Sequence, residues 1–123
     1  MRTVMIVLQL TAALGLLNVW LLRFNRPTDY RGAEARSMIE EFRAYGLPPW
    51  FAYLIGSLKI GLALALIVGI WQPALVLPAA AMICILMVGA LAMHARIHDS
   101  LKKSAPALGM LLVCLGIIWG AMR

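Results

Sequence analysis

Lys59 stands in the middle of an apolar run, GSLKIGLALAL. A charged side chain at the centre of a bilayer costs at least about 2.5–3.5 kcal/mol on insertion scales, so an intramembrane lysine has to be relieved by something. A carboxylate partner, a neutral amine and a wet or ligand-filled pocket are the three ways out. Few groups in this chain can supply the first. Glu41 and Tyr45 precede the run that holds Lys59, and His94 and Asp99 close the run after it. Counted from Trp50, Lys59 lies roughly 13 Å down a helix. Cys84, Cys114 and Leu14 share that level, and no carboxylate does. A funnel of Glu41, Tyr45 and His94 above Lys59, with Asp99 on the same side, is the arrangement that brings acid to the lysine. It requires the segment carrying Glu41 to dip among the other helices. Lys59 is then either a structural cation, satisfied by a carbonyl, water or Glu41, or a residue that binds a ligand or anion in a pocket.

The remaining reactive side chains are less specific. His94 and His98 are four residues apart and would face one metal if their helix ran on, but the local sequence offers no third ligand, and no metal site is assigned. Cys84 and Cys114 lack CxxC spacing. They read as packing residues, or as a redox pair if their Cα atoms come within about 7 Å. Phosphate loops, Ser-His-Asp arrangements, haem signatures and dinucleotide fingerprints are not found. These residues define no stand-alone enzyme and require no cofactor; a quinone is compatible with the Lys59 layer.

The elements that must position these groups are plain. The chain is 63% hydrophobic and 13% charged, against about a quarter charged in a soluble domain, so it is built for lipid. Four apolar runs, roughly residues 3–22, 49–71, 73–94 and 105–122, each approach the ~20 residues a helix needs to cross ~30 Å of hydrocarbon. Lipid cannot satisfy backbone polar groups, which selects helices. Gln9, Thr11 and Asn18 are the polar residues of the first run, suited to weak interhelical hydrogen bonds. Between the first two runs, Ala35, Met38, Ile39, Phe42 and Tyr45 form one stripe and Arg36, Glu40 and Arg43 the opposite face. This is an amphipathic helix over about 33–45, stopped by Gly46 and Pro48. Glu41 borders its apolar stripe. The expected fold is therefore all-α, one domain over 1–123: a membrane-embedded four-helix bundle with an amphipathic interfacial or re-entrant helix between helices 1 and 2.

Small residues mark the packing faces. Ser57, Gly61, Ala65 and Gly69 recur every fourth residue, and Gly116 and Gly120 form a GxxxG; such spacings let helices approach closely. Trp20, Trp50, Trp71 and Trp119 fit interfacial belts, and Pro106 fits near the first turn of the last helix. The +6 net charge faces lipid headgroups rather than nucleic acid. Arg23, Arg26, Arg31, Arg36 and Arg43 lie in the first connection and Arg96, Lys102 and Lys103 in the third, against Arg2 and Arg123 on the other side. The positive-inside rule then puts connections 23–48 and 95–104 in the cytoplasm and both termini outside, in a bacterial inner membrane. The partners expected are the bilayer and another membrane protein or further copies of the chain.

Three stretches carry a family resemblance: EFRAYGLPPWF, GSLKIGLALAL and AMHARIHDSLKKSAPAL. Together they resemble the DoxX-like family of four-helix integral membrane proteins, which includes DoxD and MauE types. Members carry an aromatic segment ending in Gly-Leu-Pro, then a Gly-x-x-Lys or Gly-x-x-Glu step, here Gly56 to Lys59. Many have a histidine at the end of the third helix with a downstream Asp, Lys and Pro-Ala, here His94, Asp99, Lys102 or Lys103, and Pro106-Ala107. The resemblance covers nearly the whole chain. It implies one of several roles: a membrane subunit of a redox system such as thiosulfate:quinone oxidoreduction, a maturation factor for a dehydrogenase, or an assembly chaperone. Two functions follow: a small subunit or assembly factor acting through helix contacts, and a quinone- or lipid-binding redox protein built around Lys59.

Overall fold

A computed structural model describes residues 2–22, 37–99 and 101–122. The described residues are helical almost throughout. Helix α1 spans Arg2–Leu17 and continues as a π-helical stretch over Asn18–Leu22; α2 is Met38–Ala44, α3 Pro49–Val68, α4 Val76–Arg96 and α5 Leu101–Ala121. A 3₁₀ turn, Pro73–Leu75, leads into α4. The four long helices are all long and apolar enough to cross a membrane.

They close into a ring. α1 packs on α3 and α5, and α4 packs on α5 and α3. Neighbours run antiparallel: along α1 and α5, Met5 meets Gly120, Leu8 meets Gly116 and Gly15 meets Met110. Gly116 and Gly120 thus serve contacts within the chain, since a Cβ at Gly120 would overlap the Met5 thioether. The four-residue stripe on α3 is divided. Gly69 packs on Val76 and Ala65 is half-buried, whereas Ser57 and Gly61 are exposed, and among the described residues nothing lies within 4 Å of a Cβ built at Gly61.

The core has two parts. Towards the chain termini, Ala12, Ala13, Ala63, Leu66, Ala79, Ala80 and Ile83 pack tightly around Ile117. Small side chains there let the backbones close up. Towards the other end the core is aromatic: Trp20, Met38, Phe42, Tyr45 and Ala52. Helix α2 packs on α3 and supplies Met38 and Phe42, with Tyr45 as its C-cap. Ser37 caps α2, its hydroxyl accepting from the Glu40 N–H. The helix ends as Gly46 turns to φ +83°, so that the Gly46 N–H bonds the Arg43 carbonyl and the Leu47 N–H the Phe42 carbonyl. Pro48 and Pro49 then start α3. Of the expected amphipathic helix, residues 33–36 lie outside the described residues.

Two expectations change, and the condition for a shared His94–His98 face is not met. Trp20 is not in an interfacial belt: it is 5% exposed, while Trp50, Trp71 and Trp119 are 60% exposed or more. It continues the buried stripe Gln9, Ala13, Leu16, one face of a 3.6-residue helix. Pro106 lies inside α5 because the helix starts at Leu101. The helix of His94 does not run on to His98. It closes with His98 at φ 57°, the Asp99 N–H on the His94 carbonyl and the His98 N–H on the Ala95 carbonyl. His98 is exposed and His94 buried, so they share no face.

Candidate functional site

α3 begins at the aromatic end of the bundle and runs inward. Helical Cβ atoms tilt towards the N-terminus, so the Lys59 stem climbs back towards that end. Lys59 is 7% exposed, and its Nζ lies 5.0 Å from the centre of the Trp20 ring. That is cation–π range, and desolvation strengthens such a contact. Trp20 can be there because the residue facing it one turn earlier on α3 is Gly56. A Cβ at Gly56 would come within 2.6 Å of the ring.

Glu41 enters from α2. It is 7% exposed, and its carboxylate acts on Lys59 as a nearby charge. Among the described residues no carboxylate pairs directly with the Lys59 ammonium. Tyr45, one turn after Glu41, donates its hydroxyl to Glu41 Oε1 at 2.5 Å. His94, in the last turn of α4, brings Nε2 to 3.4 Å from Tyr45 Oη and 3.8 Å from Glu41 Oε1. The other ring nitrogen, Nδ1, is 2.7 Å from Asp99 Oδ2. The reversal at His98 makes this possible by folding Asp99 back over the end of α4. Phe42 braces the cluster, edge-on to Trp20 with centroids 6.0 Å apart and tilted on Phe51 at 6.2 Å.

Beside these groups lies a partly open cavity of about 950 Å³. Lys59, Glu41, Tyr45 and His94 line it together with Trp20; Asp99 stands behind His94. The rest of the wall is largely apolar, with Lys103 on α5 a second cation. Ile85, near the midpoint of α4, is on the wall and 66% exposed, so the cavity has an edge at hydrocarbon depth. The volume is that of a small-molecule site, and its few convergent polar groups fit the same description.

The residues from 31 to 117, which hold every member of this cluster except Trp20, match the DoxX-like family. The chain belongs to that family. It is also 34% identical over 84 residues to the uncharacterized protein YdgD of Bacillus subtilis (strain 168), covering 68% of this chain and 74% of that one. Among solved structures nothing matches it.

In this DoxX-like protein, of the five residues expected to converge, Glu41, Tyr45, His94 and Asp99 are linked side chain to side chain, and Lys59 lines the same cavity beside them. Trp20 was not anticipated there, nor was the role of Gly56 as its seat. Trp20 and Gly56 are recognisable only together, as a large and a small residue on facing helices. Gln9 holds the opposite half of the bundle: its Nε2 donates to the Leu66 carbonyl at 3.0 Å, while the Ile70 N–H turns to Ile67 instead. Cys84 and Cys114 are free thiols that interact across the α4–α5 contact in apolar surroundings. Among the described residues no group of three metal-ligating side chains occurs.

Proposed function

We propose that this protein binds a bilayer-soluble amphiphile, a quinone or a lipid, with its oxygen-bearing head against Lys59 and its tail along the apolar wall. The observation that carries the reading is a 950 Å³ cavity beside a buried ammonium that no described carboxylate pairs with. An ammonium has three protons to donate and no acceptor of its own, so a ligand carbonyl, carboxylate or phosphate oxygen complements it. The edge at Ile85 supports entry from the bilayer. By the distribution of Lys and Arg, the polar end faces the cytoplasm of a bacterial inner membrane, with the termini outside.

Ligand-induced stabilisation in lipid nanodiscs tests the reading. A short-tailed benzoquinone and a long-chain fatty acid are added separately, and thermal midpoints are compared for the native chain and Lys59→Met. The expected result is a concentration-dependent rise for at least one probe. Lys59→Met should weaken it ten- to a hundredfold, the worth of roughly one charge-assisted hydrogen bond. Equal response, or none, in both chains overturns it.

A second reading, a small subunit or assembly factor of a membrane complex, rests on a different observation. Ser57 and Gly61 present an exposed small-residue face, with no helix among the described residues against Gly61. Such a face admits a helix from a partner or a second copy. Gly61→Leu should then abolish a crosslinked complex seen with the native chain in membranes. A native chain that stays monomeric and uncrosslinked sinks this reading.

A further inference from the structure

Three glycines, Gly61, Gly89 and Gly109, are exposed, and a Cβ built on any of them meets no atom of the described residues within 4 Å. Each sits inside a helix, where glycine is less stable than alanine because its backbone loses more freedom on folding. Among the described residues no close helix contact requires any of the three. Gly89 is on the cavity wall, and neither Gly61 nor Gly109 is.

The surroundings of Gly89 show what the missing side chain leaves open. Met93, one turn further along the same face of α4, packs against the aromatic core together with Phe51 and Ile55 of α3. Gly89 therefore stands at the seam between α4 and α3, where Phe51, Ile55 and Lys59 form the facing wall. Ile85, one turn the other way, is exposed on the same wall. Gly89 precedes His94 by five residues, roughly 8 Å down α4, and the Lys59 backbone lies roughly 13 Å down α3. The lysine stem climbs back across that difference, so its ammonium ends near the level of Gly89.

We propose that Gly89 is the port of the cavity: an amphiphile enters sideways from the bilayer over Gly89, its head reaches Lys59, and its tail rests in the seam between α3 and α4. This port rests on the binding reading above and narrows it. A gap left by one absent side chain passes one chain. The ligand class is then a single-tailed amphiphile, a fatty acid or a quinone with one prenyl tail. Lys59 reads the head inside the cavity, and the tail beyond the port lies in lipid, where its length is not read.

The test uses the full chain in nanodiscs with Trp50, Trp71 and Trp119 changed to phenylalanine, which leaves Trp20, on the cavity wall, as the single indole. Benzoquinones quench indole fluorescence on contact, and so does a carboxylate brominated near its head. Each head is titrated with a long tail and with a tail too short to reach the port. At least one long-tailed probe should quench Trp20, and which one does separates quinone from fatty acid. Gly89→Leu should weaken that quenching about tenfold or more, the scale on which one added aliphatic group is rejected from a filled apolar passage. The short-tailed form of the same head should respond as before, and the thermal midpoint without ligand should not fall. If Gly89→Leu does not fold, Ile85→Phe on the same edge should show the same selective loss. Long-tailed quenching unchanged by the blocking variant overturns the port and leaves the binding reading standing. Equal loss for long and short tails overturns it too, since Gly89 then belongs to the head pocket. A parent chain that no probe quenches removes the binding reading, and the port with it.

Discussion

Single residues set the terms on which polar atoms exist inside this bundle. Gln9 satisfies the Leu66 carbonyl, which the end of α3 leaves without a backbone donor once Ile70 turns to Ile67. In a bilayer no water replaces the lost bond. Gln9→Leu should therefore lower stability by about 1 kcal/mol, the usual range for an interhelical bond in membranes, measurable as a change in unfolding free energy in detergent. His98 is the opposite case, an exposed side chain in a left-handed conformation that glycine adopts freely. His98→Gly should raise stability by about 1–2 kcal/mol while leaving Asp99 on His94. A fall in stability would mean that the imidazole itself makes a needed contact. Lys59→Met removes a buried charge without orphaning a directly paired one, so its stability should equal or exceed the native chain's.

At the scale of elements, the contact between α1 and α3 places the site. Trp20 fits over Gly56 and under the Lys59 ammonium, and Phe42 from α2 closes its edge. Gly56→Leu would push the indole out, and overpacking of this kind costs about 1–3 kcal/mol. The expected outcome is a lower thermal midpoint with the fluorescence of Trp20 moved towards that of a solvated indole. An unchanged spectrum would show that α1 moves as a unit instead. Helix α2 is only seven residues long and could not persist alone. Its stability comes from burying Met38, Phe42 and Tyr45, and the same packing turns Glu41 into the interior of the bundle.

For the whole molecule, the proposed orientation puts the Glu41–His94 end in the cytoplasm. In a chain with Cys84 and Cys114 changed to alanine, single cysteines at positions 72 and 98 report the two sides. Intact cells treated with a membrane-impermeant maleimide should label position 72 and spare position 98. The reverse pattern would invert the topology and place the polar cluster towards the exterior. The two-part core belongs to this scale as well. Small side chains draw the helices together at one end, and aromatic ones hold them apart at the other, so the cavity is where the packing changes character.

Hydrophobic runs of bilayer length, the break at Gly46-Leu47-Pro48 and the lysine in the second run were sufficient to state the all-α membrane bundle and the family. These are local properties: length, period and turn chemistry act within a segment. The candidate cluster was legible in outline, because Glu41 borders an apolar stripe and His94 ends a helix at the same level. Its connections were not. That Tyr45 lies between Glu41 and His94, and that Asp99 folds back on His94, depends on how far α2 descends and on a left-handed residue at His98, which helical spacing does not reveal. The buried lysine was visible from the sequence as a problem. Tertiary structure supplied the surroundings: an indole admitted by a glycine on the facing helix, a carboxylate brought down by α2, and an apolar cavity left where four helices part. A chain's own spacing sets which residues share a face, but only the packing of one helix on another sets what that face meets.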